Sequence, residues 1–142
     1  MKTYLLLLLP LFFAGIFACD RKAGLSTFQL DKSFTLDQGG TSYWEEDNSI
    51  NVTFDRVVSD SRCPIDAECI WAGLAEVQIT FTQSGLSQTD TLISGDFTNT
   101  NHTDTGHFGH FTVKLLQLQP APLAGQPIPQ EDYRVELIIA KE

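Results

Sequence analysis

The chain is short of positive charge. Nine Lys and Arg stand against 18 Asp and Glu, and the basic residues form no cluster. Affinity for nucleic acid comes from grouped Lys and Arg that release counterions from phosphates, so no nucleic-acid partner is expected. Nor is there an apolar run long enough for a permanent transmembrane helix, which needs about 18 residues or more. The longest run is Tyr4 to Ala18, and Pro10 interrupts it. Beyond it, no stretch sustains helical spacing with start and stop signals. The chain also lacks a Gly-x-Ser-x-Gly elbow, a His-Glu-x-x-His pair and a phosphate-cradling glycine loop. Ser, His and Asp all occur, but composition does not make a triad, and the adjacent Glu45 and Glu46 read as solvated turn charge. We therefore expect no catalytic activity. Cysteine is scarce too: there are three, an odd number that cannot pair within one chain.

What is present begins with an address. Lys2 supplies a cationic start, the apolar run follows, and it stops at Cys19-Asp20-Arg21-Lys22. This is the pattern of a secretory signal peptide over residues 1–18. Ile16-Phe17-Ala18-Cys19 resembles the lipobox of bacterial lipoproteins, in which a branched apolar, a variable and a small residue precede a cysteine that is lipidated and becomes the mature N-terminus. Phe17 is bulkier than the residue usual there. The alternative is an ordinary cleaved leader, with Cys19 a free thiol or a disulfide partner. Lipid on Cys19 implies attachment to the membrane surface, each buried CH₂ adding about 0.8 kcal/mol. The implied location is the bacterial cell envelope, on the outer membrane facing the periplasm or the cell surface. Losing Lys2 with the leader makes the net charge of −9 one unit more negative. A body so acidic is expected to stand off anionic headgroups rather than lie on them. Residues 19–27, with Gly24 and Ser26, read as the lipidated cysteine and its tether; eight flexible residues reach on the order of 15 Å.

Residues 28–142 read as one all-β domain, an antiparallel β-sandwich of about six to eight strands, Ig-like in general architecture. Period-two alternation marks Phe28 to Leu36 as a first strand, then Ile50, Val52 and Phe54; Ala75, Val77, Ile79 and Phe81; Thr89 to Ile93; Phe111, Val113 and Leu115; and Tyr133, Val135, Leu137 and Ile139. Gly39-Gly40 and Glu45-Glu46-Asp47-Asn48 mark turns. Alternation slips at Leu115-Leu116-Leu118, which predicts a β-bulge or a strand buried on both faces. Pro120, Pro122, Pro127 and Pro129 predict a crossover running over one end of the domain.

The most distinctive segment is Asp60-Ser61-Arg62-Cys63-Pro64-Ile65-Asp66-Ala67-Glu68-Cys69-Ile70-Trp71-Ala72-Gly73. With Cys19 lipidated, Cys63 and Cys69 form an even pair in an oxidising compartment, and a disulfide is the default. Asp60 is placed to accept backbone N–H bonds two or three residues on, and Pro64 pre-bends the loop. Arg62 has Asp60, Asp66 and Glu68 close in sequence as ion-pair partners. Two readings stand. In one, the disulfide is a staple between two strands, with Trp71 packed over it or into the core. In the other, the loop is a rigid recognition element for a protein partner in the envelope, or a protease-inhibitor-like module. Five residues between the cysteines argue against a thiol oxidoreductase, which uses two.

Asp60-Ser61-Arg62-Cys63-Pro64 followed by Cys69-Ile70-Trp71-Ala72-Gly73-Leu74-Ala75-Glu76-Val77 resembles the signature of a family of small, uncharacterised bacterial secreted proteins and lipoproteins. A weaker likeness extends from Gly39-Gly40 to Pro120-Ala121-Pro122, so it covers most of the mature chain. The resemblance implies a compact β domain in the envelope without an established enzymatic activity.

All three histidines, His102, His107 and His110, fall close together with Asp104 in a Thr-, Asn- and Gly-rich stretch. Clustered imidazoles with a carboxylate are the raw material of a Zn or Cu site if the loop gathers them. Their spacing matches no established ligand motif, and an exposed hairpin loop has the same composition. No other cofactor is suggested.

Overall fold

A computed structural model describes residues 25–95 and 103–142. Cys19, the expected leader, most of the expected tether and His102 lie outside them. Two long alternating segments make the centre of one sheet. In β5 (Leu74–Gln83) alternate side chains from Ala75 to Phe81 are buried; in β4 (Ile50–Asp60) the same holds from Ile50 to Phe54, after which a register shift carries burial to Val57, and the two strands pair antiparallel. Around them stand β1 (Ser26–Phe28), β3 (Thr41–Trp44) and β6 (Leu86–Gly95), in the order β1-β3-β4-β5-β6. The second sheet has the order β2-β9-β8-β7, built from β2 (Ser33–Asp37), β7 (Thr105–Phe108), β8 (Phe111–Gln119) and β9 (Arg134–Lys141).

The inward faces of both sheets meet in one core. Val52, Phe54, Val77 and Ile79 come from the first sheet, and Val113, Leu115, Val135, Leu137 and Ile139 from the second. Each such side chain contributes about 1.5–3 kcal/mol on burial, which is what drives the two sheets face to face. The buried Ser42 is the polar member of this interior, and its hydroxyl accepts from Ser26 Oγ at 3.2 Å. The all-β sandwich is as expected from the alternation.

Three details differ. Among the described residues there are nine strands rather than six to eight, because β1, β3 and β7 are only 3 or 4 residues long and carry too little alternation to be read. The segment Phe28 to Leu36 is two strands in different sheets. Asp31 at φ 60 turns the chain across the sandwich edge, and its N–H donates to the Ile139 carbonyl at 2.8 Å. Aspartate tolerates the left-handed region, and alternation does not register such a turn. The first strand also begins at Ser26, two residues before the expected start of the domain. At Leu115-Leu116-Leu118 the structure has the bulge: register shifts between Leu115 and Gln117, leaving Leu116 exposed while Leu115 and Leu118 stay buried. The proline-rich stretch is the connection from β8 to β9, closed by a 3₁₀ turn at Gln130–Asp132.

Candidate functional site

The cysteine segment is the tip of the β4–β5 hairpin. Pairing outlasts the strands: Ser61 N–H donates to Leu74 O at 2.8 Å and Cys63 N–H to Ala72 O at 2.7 Å. Past these rungs the loop closes on itself through the Cys63–Cys69 disulfide, with the two Cα atoms 5.9 Å apart. Closing so short a loop removes about 2 kcal/mol of unfolded-state entropy. Ala67 N–H returns to the Pro64 carbonyl at 3.1 Å, so Pro64 opens a tight turn inside the ring. Gly73 ends the loop at φ +68, where a Cβ would collide with the backbone carbonyl oxygen of Ser61. Glycine is needed there for its conformation and for the close approach of the two chains.

An ion pair ties this tip to the other sheet. Arg62 Nε donates to Asp60 Oδ1 at 2.9 Å and Nη2 to Asp60 Oδ2 at 2.6 Å, a bidentate fork. The remaining guanidinium protons reach across the sandwich: Nη1 donates to Leu118 O at 2.7 Å and Nη2 to Pro120 O at 2.9 Å. Asp60 Oδ1 also accepts the Arg62 N–H at 3.1 Å, the turn bond expected of it. Its Oδ2 accepts the Tyr133 hydroxyl at 3.0 Å. The side chains of Arg62 and Asp60 are only 13% and 11% exposed. Burial, the largest influence on the Asp60 carboxyl, favours its neutral form. The hydrogen bonds and charge of Arg62, with the Tyr133 hydroxyl, outweigh burial and hold the carboxyl below its ordinary value. Tyr133 is pushed up to about 12, by its own burial first and then by donating to the adjacent carboxylate. The cluster thus joins β4, the end of β8 and the start of β9 and fixes the angle at which the loop leaves the domain.

Of the expected partners of Arg62, only Asp60 is engaged. Asp66 instead accepts the N–H of Ala124 at 2.8 Å, and Ile65 N–H donates to Pro122 O at 3.0 Å, so the proline-rich connection flanks the loop. Tyr133 and the Leu118 and Pro120 carbonyls are the members that sequence spacing does not disclose; a tyrosine just before a strand reads as core.

Trp71 corrects an expectation. It packs neither over the disulfide nor into the sandwich but stands 77% exposed, beside Ile70 at 99% and Ile65 at 72%. The sheet end beside the loop is instead held by the Arg62 fork and Tyr133, and residues 70–71 lie beyond the last rung, between Cys63 and Ala72. The result is a disulfide-closed projection at one end of the domain that exposes Ile65, Ile70 and Trp71 beside Asp66 and Glu68.

His107 and His110 are at the opposite end. His107 lies on the outer face of β7, and His110 follows Gly109 in the turn to β8. His107 Nδ1 is 3.5 Å from Glu142 Oε1, both groups well exposed. Asp104 turns its carboxylate to Lys114, with Nζ to Oδ2 3.5 Å. Among the described residues no group of three or more His, Cys, Asp or Glu is placed to hold a metal ion. The third histidine of the expected set, His102, lies outside those residues.

No protein-family model, curated protein or solved structure matches this chain.

Proposed function

We propose that the protein is a lipid-anchored lipoprotein of the bacterial cell envelope, with a binding rather than a catalytic role, and that the Cys63–Cys69 loop is what it presents for binding. The observation that carries this reading is the projecting Ile65, Ile70 and Trp71 on a loop that the disulfide and the Arg62 fork hold rigid. Exposed aromatic and aliphatic side chains on a pre-organised loop gain by burial against a partner while losing little freedom on binding. The disulfide supports an oxidising compartment, where such bonds persist. The signature around Cys63 and Trp71 and the lipobox-like Ile16 to Cys19 support the envelope and the anchor.

A protease-inhibitor role for the same loop has less support. Such a role asks for an extended segment, whereas Pro64 to Ala67 is closed as a turn and Asp66 is tied to Ala124. A Zn or Cu role has its remaining candidates in His107, His110 and Asp104, which face Glu142, solvent and Lys114.

Metabolic labelling with a fatty-acid analogue tests the anchor. The wild-type chain should carry label on a mature N-terminus at Cys19 and sediment with membranes. Cys19→Ala should carry none and be released. An unlabelled wild type with an intact or differently cleaved N-terminus would overturn the reading.

A further inference from the structure

The N-terminal side of β1 points toward the end of the sandwich that carries the cysteine loop. β1 pairs parallel with β3, and β3 pairs antiparallel with β4. The N-terminal side of β1 therefore points the way β4 runs, toward Asp60 and the loop. Ser26 is level with Ser42 and Val52, and Val52 with Phe81, while Asp60 is level with Ala75. From Phe81 to Ala75 a strand rises about 20 Å. The chain from Cys19 to Ser26 is at most about 25 Å long when fully extended and about 15 Å as a flexible average. A lipid on Cys19 thus holds Ser26 closer to the bilayer, on average, than the length of sheet that separates Ser26 from the loop.

We infer that the Ile65, Ile70 and Trp71 tip is a second membrane contact, inserted end-on into the lipid interface beside the Cys19 anchor. This rests on Cys19 being lipidated. The side chains suit that depth: Trp is favoured at the headgroup level, where an apolar ring meets a wet edge, and Ile65 and Ile70 add aliphatic surface. Leu123, on the flanking proline-rich connection, is partly exposed nearby. The acidic body of the domain opposes lying flat on a membrane, but end-on contact brings only the tip to it. The tip carries exposed Asp66 and Glu68, and its cation, Arg62, is committed to Asp60, Leu118 and Pro120. Its lipid is therefore zwitterionic, of the phosphatidylethanolamine kind, with insertion driven by apolar burial and indifferent to salt. Two attachments, a lipid and a side-chain wedge, would fix the domain's orientation where the lipid alone would leave it swivelling.

The test uses the full lipidated chain reconstituted into phosphatidylethanolamine vesicles containing a minority of phosphatidylglycerol, with and without bromine-labelled acyl chains. Trp71 is solvent-exposed, so Trp71→Phe leaves the fold intact, and wild type minus Trp71→Phe isolates the emission of Trp71 from that of Trp44. The expected difference spectrum is blue-shifted and loses about half its intensity to the brominated lipid, equally at low and high salt. Unshifted, unquenched Trp71 emission on a chain whose mass confirms lipid at Cys19 would overturn the inference and leave the lipoprotein reading standing. Absence of lipid at Cys19 would remove both. Trp71 buried only after envelope proteins are added to the vesicles would identify a protein partner and overturn the lipid contact.

Discussion

The two ends of the sandwich solve the same problem, turning a hairpin, in opposite ways. At one end, β7 passes into β8 through Gly109 and His110 alone, with the His107 side chain in water and only a long, exposed pair with Glu142 beside it. At the other, residues 61–73 form a long tip that is disulfide-closed, glycine-fitted and tied by a buried fork to the opposite sheet. A short turn needs nothing to hold it. A long one stays ordered only if other contacts replace the missing ladder, and here the disulfide, the Gly73 fit and the Arg62 fork do so while Ile65, Ile70 and Trp71 stay exposed.

The sharpest way to break this comparison is to place alanine at the two turn glycines, which share nearly the same backbone angle. Gly73→Ala should cost about 3 kcal/mol or more, because the new Cβ strikes the Ser61 backbone. Gly109→Ala, whose nearest neighbour is the flexible Gln83 Oε1 at 3.6 Å, should cost only about 1 kcal/mol. Denaturant midpoints of the two variants measure the difference, and equal losses would mean the cysteine end is no more tightly fitted than the histidine end.

Ion pairs provide the next contrast. Arg62→Met should lose about 3 kcal/mol, since it leaves the Asp60 carboxylate nearly buried with Tyr133 as its main partner. Lys114→Met should lose about 0.5 kcal/mol or less, because its pair with Asp104 is long and half in water. Thermal unfolding of both at neutral pH decides it.

A pH dependence follows from Tyr133. Its folded pKa, about 12, lies above the ordinary value of 10, so the folded state keeps a proton that the unfolded state releases. The stability it supplies is complete below pH 10 and falls away between about 10 and 12, by up to about 2 kcal/mol. Tyr133→Phe should lack that part of the alkaline decline, seen by comparing unfolding curves of the two proteins across the range. Asp60 has the opposite sign: its lowered carboxyl stabilises the fold above its ordinary value, and that contribution is lost as the solution is acidified below it.

The smallest effect expected is the most telling. Trp71→Ser should change stability by less than about 0.5 kcal/mol, because the side chain leaves almost nothing behind. A loss of several kcal/mol by calorimetry would return Trp71 to the core and remove the basis for a presented tip.

Much of the fold was legible before any coordinates. Alternation located β4, β5, β8 and β9 because each buries one face, and a period of two follows from the pleat alone. It missed β3 and β7, too short to show a period, and it fused β1 with β2 because the Asp31 turn interrupts neither polarity nor alternation. At the site, the Cys63–Cys69 pairing and the Asp60–Arg62 contact were readable as near neighbours in sequence. Tyr133 and the Leu118 and Pro120 carbonyls were not, being brought to Asp60 and Arg62 only by the packing of two sheets.

The sequence by itself determined that this is a β protein and that Cys63 and Cys69 close a loop. These are local properties: side-chain period and loop closure over a few residues. Only the tertiary structure decided that Trp71 faces out and that β1 enters from the loop's end. Both depend on contacts between segments far apart in sequence: the pairing of β1 with β3 and of β3 with β4, and the Arg62 fork and Tyr133 that hold the sheet end beside the loop.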